Sequence, residues 1–178
     1  MNRASSHAVT VFKRGRRSDH GQATIEFALV IIMLFLAVVS ILELIVFMHT
    51  YNVLADSAKE GVRYAIVHGA NNGSPMPAAC TVLSCSCPCA DIDGPAAPPG
   101  TNAGYGSGYG IVKTFAQYSL HSTSTMTVTV TYPGGTTTPA NKTPNLVKVK
   151  VSYPYQWFLG LGWAAIQVNA SAQGRIMN

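Results

Sequence analysis

The stretch FALVIIMLFLAVVSILELIVFM, residues 27–48, decides how this chain is organised. At 1.5 Å per residue a helix of that length covers about 33 Å, the thickness of a bilayer's hydrocarbon layer. One acid, Glu43, interrupts it. Inserting that carboxylate costs on the order of 3 kcal/mol, whereas the Leu, Ile, Val and Phe residues around it return about 5 to 10 kcal/mol together. The span is therefore expected to cross a membrane despite its acid. A buried helix of a soluble protein is the alternative, but no other part of the chain is large or apolar enough to surround it.

Charge sets the direction. Of the formal net charge of +5, Arg3, Lys13, Arg14, Arg16 and Arg17, offset by Asp19, place +4 in the first 21 residues and leave +1 for all the rest. Beyond the span, Asp56, Lys59, Glu60 and Arg63 nearly cancel. The positive-inside rule then puts the N-terminus in the cytoplasm and everything after about residue 50 outside. The expectation is a membrane bounding the cytoplasm, crossed once. A secretory signal peptide would have a shorter apolar region and a small-x-small cleavage site, and neither is present.

The same distribution removes other functions. With the basic residues gathered before the span, no basic stripe is left to bind nucleic acid, and no helix-turn-helix, finger or RNA-binding signature occurs. The chain is 48% hydrophobic and only 11% charged, against about 25% charged in ordinary soluble domains, so lipid or a protein assembly is expected to cover part of it. An enzyme would show a nucleophile with a base, paired carboxylates or a metal cluster. After residue 60 the only acids are Asp91 and Asp93, and the only histidines His68 and His121. No enzymatic activity, cofactor or metal is expected.

Just before the span stands Gly21-Gln22-Ala23-Thr24-Ile25-Glu26-Phe27. A glycine between a basic leader and a helix offers a flexible, unhindered peptide bond at the cytoplasmic edge of the membrane. The order of basic leader, Gly, four residues, Glu, aromatic and long apolar helix looks like a type IV prepilin signal. The wider stretch GQATIEFALVIIMLFLAVVSILELIVFMHTYNVLADSAKEGVRYAIVHG resembles the TadE-like pseudopilins of tight-adherence pilus systems, through the apolar run ending in Glu-Leu and the later Ala-x-x-Gly-x-Arg-Tyr-Ala segment. One departure is that Glu43-Leu44 is followed by Ile45-Val46 where that family often has Gly-Arg.

The resemblance implies that a prepilin peptidase cuts between Gly21 and Gln22, making Glu26 and Phe27 the fifth and sixth mature residues. It also implies that Glu26 pairs with a neighbouring subunit's new N-terminal amine. Glu26 at the headgroup level is the plainer alternative. Glu43 is expected to snorkel to the outer boundary or to contact a partner helix. The implied partners are the peptidase, other pseudopilins, the membrane platform of the pilus or secretion system, and the bilayer. An unprocessed single-pass envelope protein carrying an extracytoplasmic binding module is the rival reading.

The expected organisation is a leader over residues 1–21, a transmembrane helix over 22–49 and an extracytoplasmic domain over 50–178. Within the domain, Tyr51, Leu54, Ala55, Ala58, Val62, Ala65 and Ile66 recur at three and four residues, so 50–68 reads as an outward continuation of the helix with one inward face. Gly61 weakens that helix by about 1 kcal/mol but permits close approach. Residues 71–110 read as an irregular Gly/Pro-rich loop, with Asp91-x-Asp93 capping a turn and GYGSGYG at 104–110 a flexible loop. A short helix is expected over 111–120. Alternating patterns predict strands near 125–132, 146–153 and 164–173, an antiparallel sheet with one apolar face that the helix can cover. The fold class is α+β and pilin-like. Tyr153-Pro154-Tyr155 resembles an element frequent in TadE-like proteins, and the aromatic stretch 155–163 reads as a core lid or as a docking or membrane-surface contact.

Cys80, Cys85, Cys87 and Cys89 fall in the irregular region. An even number in an oxidising compartment fits two disulfides, with three possible pairings. Zinc is the rival, although Cys-x-Cys-x-Cys lacks the usual paired knuckles.

Overall fold

The computed structural model describes residues 20–69, 71–72, 90–104, 106–133, 145–157 and 164–177. The leader as far as residue 19, the four cysteines and residues 158–163 lie outside that set. The described chain is an α+β fold of three helices and three strands: α1 (His20–Val67), α2 (Ala90–Asp93), α3 (Ile111–Ala116), β1 (Thr127–Thr131), β2 (Leu146–Tyr155) and β3 (Ile166–Arg175). Two compact units divide it, Met1–Ile41 and Leu42–Asn178.

α1 is one continuous helix of 48 residues, with no proline and only Gly21 and Gly61 to weaken it. Its part in the first unit carries apolar side chains exposed all round, among them Phe27 at 66% and Met33 at 74%. The hydroxyl of Ser40 donates to the Leu36 carbonyl at 2.8 Å, so this polar group is satisfied within the helix itself. The helix is long and apolar enough to cross a membrane.

In the second unit the same helix changes character. Val53, Leu54, Ala58, Val62 and Ala65 are buried, and Asp56, Lys59, Glu60 and Arg63 form i,i+3 ion pairs on the other side, at 2.8 Å and 3.3 Å. Such exposed pairs contribute little. The burial of the apolar stripe is what holds the helix down. Tyr51, predicted on the inward stripe, is instead 47% exposed: three residues before Leu54, it falls outside the arc that the small domain covers. At the C-terminal end the Asn72 amide side chain donates to the Val67 carbonyl at 2.5 Å, satisfying one of the orphan acceptors of the last turn.

The sheet is antiparallel with β2 in the centre. Val128 pairs with Val151, which pairs in turn with Ala170, and Val130 with Val149, which pairs with Ala172, so apolar rows cross all three strands on one face. Met126, Val128, Val130, Tyr132, Val147, Val149 and Val151 are all buried. β3 carries smaller residues on this face, and the reason is the helix. A Cβ on Gly174 would lie 2.5 Å from Ile66 Cδ1 and 2.7 Å from Val62 Cγ1, so α1 presses on the sheet where the strand has no side chain. Gly61 is the counterpart on the helix. A Cβ there would lie 2.7 Å from Val112 Cγ2 and 3.3 Å from Val149 Cγ1.

β2 outruns β1, whose pairing stops at Thr127 with Ser152, so Pro154 sits where the strand has lost one neighbour. A residue without an N–H is tolerated there. The region expected to be irregular contains α2, and Asp91 and Asp93 belong to that helix and do not cap a turn. Its anchor is Ile92, fully buried against the core. α3 stops at Ala116, earlier than its pattern suggested, and passes into a turn in which the Leu120 amide reaches the Ala116 carbonyl at 2.9 Å. The glycine-rich loop is internally bonded: the Gly104 amide donates to Tyr109 and the Ser107 amide to Gly104, both at 3.0 Å, with left-handed φ at Gly104, Gly106 and Gly108.

Candidate functional site

Three groups of side chains are candidates for function, one in the first unit and two in the second. In the first unit Gly21 and Gln22 lie in the opening turn of α1, one turn before Glu26 and Phe27, and all four are exposed. The scissile bond suggested by the sequence is thus helical and not an open linker. A Cβ on Gly21 would meet nothing within 4 Å.

The second group brings Glu43 to the sheet. The Tyr155 hydroxyl donates to Glu43 Oε1 at 2.7 Å, across 112 residues of sequence. The Phe47 ring, one turn along α1, meets the Tyr155 ring edge-on at a centroid distance of 5.4 Å, and the Trp157 ring does so at 6.2 Å. Tyr155 is only 4% exposed. Burial, together with the neighbouring carboxylate, pushes its hydroxyl pKa up from the ordinary tyrosine value to about 12. The acid read as snorkelling or meeting a partner helix therefore has a partner inside its own chain. Sequence reasoning named Glu43, and Tyr155 within the aromatic stretch, but did not pair them. The available signal was a tyrosine ending an alternating strand, whose hydroxyl must find a partner if the ring is buried.

The third group joins α1, α2 and α3. The Tyr64 hydroxyl donates to buried Asp91 at 3.3 Å, and the Tyr64 ring stacks on His68 at 3.9 Å. Lys113 Nζ lies 3.2 Å from Asp93 Oδ1, with both side chains largely covered. Desolvation raises the Asp93 pKa, against the pull of the Lys113 charge. These contacts tie two short helices to α1. Among the described residues no three His, Cys, Asp or Glu side chains gather as metal ligands. Cys80, Cys85, Cys87 and Cys89 lie outside the described residues.

Residues 21–63 match the model of a family described as TadE-like protein. No curated protein and no solved structure matches the chain. The matched segment holds Gly21, Gln22, Glu26, Phe27, Glu43 and Gly61. It stops short of the sheet that carries Tyr155.

Proposed function

We propose that this chain, TadE-like over residues 21–63, is a minor pilin-like subunit that takes part in assembling a tight-adherence pilus or a related secretion system. The observation that carries the reading is the Gly21, Glu26, Phe27 motif at the head of a helix long and apolar enough to cross a membrane. The basic leader stays in the cytoplasm and the domain from about residue 50 onward is exported across the bacterial cytoplasmic membrane. A prepilin peptidase then cuts after Gly21. The amine freed on Gln22 is a lone charge near lipid until an acid meets it, and Glu26 of a neighbouring subunit supplies that acid. The chain contributes packing and an interaction surface to the pilus machinery, and performs no reaction of its own.

The test is intact mass of the membrane-extracted protein expressed with its native secretion locus, wild type beside Gly21→Ala. The open space around Gly21 makes this variant neutral for the fold, so a change in processing reports on recognition by the peptidase. An N-terminus at Gln22 in wild type, lost in the variant, supports the proposal. Retention of residues 1–21 in both overturns it and favours the permanently anchored envelope protein.

A further inference from the structure

The end of the β2–β3 pair is level with the apolar run of α1. Tyr155 and Ile166 are cross-strand partners there. The Tyr155 hydroxyl meets Glu43 and its ring meets Phe47, and both of those residues belong to the run that ends at Met48. Five residues of helix separate Glu43 from that end, about 7 Å along the axis. With about 33 Å of helix set against a hydrocarbon layer of about 30 Å, Glu43 lies about 6 Å inside its outer edge, next to the interfacial layer of about 5 to 7 Å on that side. A helix that spans the membrane with residues 27–48 therefore carries the end of the sheet down with it.

The residues at that end are suited to such a place. No Asp, Glu, Lys or Arg occurs between Lys150 and Arg175, nor on α1 between Glu43 and Asp56. Leu44 at 59%, Met48 at 57% and Ile166 at 42% are exposed, as are Ala164 and Ala165. Trp157, half-buried beside Tyr155, is of the residue type enriched where a ring lies in lipid and its polar edge in headgroups. An ordinary domain surface of that extent would carry charge on about one residue in four.

We propose that the Tyr155/Ile166 end of the sheet, with Trp157, is embedded in the outer interfacial layer of the bilayer that α1 crosses, as a second membrane contact of the chain. The lipid surface, not a second copy, is the occupant, because the contact is continuous with the membrane span. The Glu43 to Tyr155 hydrogen bond fits the same picture: a carboxylate at this depth needs a donor that water no longer supplies. The inference rests on α1 being a membrane span and is independent of cleavage at Gly21.

Trp157 and Trp163 are the chain's two tryptophans, so Trp163→Phe leaves Trp157 as sole reporter. The variant is placed in nanodiscs at one copy per disc, made from lipids brominated either near the carbonyls or near the chain ends. Bromine near the carbonyls should lower Trp157 emission about twofold and bromine near the chain ends much less. If Trp163→Phe does not fold, the difference between wild type and Trp157→Phe gives the same reading. A control, Leu36→Trp in a background with both native tryptophans changed to Phe, reports on the span and should be quenched from the chain ends. Quenching at residue 36 with none at Trp157 overturns the second contact alone. No quenching at either overturns the span reading with it. Trp157 emission that is unquenched at one copy per disc but shifts to the blue when several copies share a disc also overturns the proposal, in favour of a contact between copies.

Discussion

Replacing Tyr155 with Phe removes one hydroxyl and leaves the ring in contact with Phe47 and Trp157. The group lost is a donor held 2.7 Å from a carboxylate, on a side chain 4% exposed. A hydrogen bond to a charged partner contributes about 1.5 to 3 kcal/mol, and one between neutral groups about 0.5 to 1.5. Tyr155→Phe should therefore cost about 2 kcal/mol in the wild-type background and about 1 in a Glu43→Gln background. The coupling of about 1 kcal/mol is the share that belongs to the charge. The assay is denaturant unfolding of the full chain in detergent micelles, followed by near-UV circular dichroism, on wild type, both single variants and the double. A cost below about 0.5 kcal/mol in both backgrounds, within the range of an inert surface change, would refute the claim that this bond fastens α1 to the sheet. Equal costs in both backgrounds would show that the hydroxyl matters for some reason other than the Glu43 charge.

The same tyrosine predicts an alkaline limit. Its folded pKa is raised to about 12, above the ordinary value of about 10, so its contribution is fully present below pH 10 and is lost as pH rises through about 12. Tyr155→Phe should flatten that part of a stability-against-pH curve without abolishing it, because burial raises the pKa of Tyr132 as well. Two glycines predict an order. A Cβ at Gly110 would lie 2.5 Å from the Gly94 backbone N and O and 2.7 Å from the Ile92 carbonyl, none of which can turn aside, so Gly110→Ala should cost about 3 kcal/mol, the upper end of ordinary overpacking. Gly61→Ala meets a valine methyl and gains about 1 kcal/mol of helix propensity, so its thermal midpoint should fall less; the reverse ranking would contradict the packing described.

What could be read from the sequence was whatever repeats with a period. Met126, Val128 and Val130 alternate with threonines because one face of β1 is buried and the other is not, and the pattern survives in any context that keeps that sheet. Leu54, Ala58, Val62 and Ala65 were legible for the same reason at helical spacing. Tyr51 fits the same periodicity, yet it is exposed, since a pattern gives a direction on the helix but not how far the cover reaches. α2 was hidden because four residues cannot display a period, and its anchor Ile92 is a single apolar residue in a polar stretch. In the candidate site, Gly21, Glu26 and Glu43 stood out as isolated features of a basic or apolar background. Tyr155 stood out only as part of an aromatic stretch, because its partner is 112 residues away and nearness in space leaves no trace in local composition.

The seam of Ala58, Gly61 and Ala65 has a consequence beyond tight packing. With Gly61 against Val112 and Val149, and Val62 and Ile66 over Gly174, the residues of α1 from Leu42 onward can meet the sheet at only one rotation about the helix axis. The seam works as a keyway. It determines which way Leu44, Met48 and Tyr51 point, although none of them touches it. A larger side chain in the keyway would turn the helix before unfolding it, and could spoil an outward-facing contact while the domain stays intact. Variants with a lost partner contact and a near-normal melting point should therefore be sought at Gly61 as well as on the face that makes the contact.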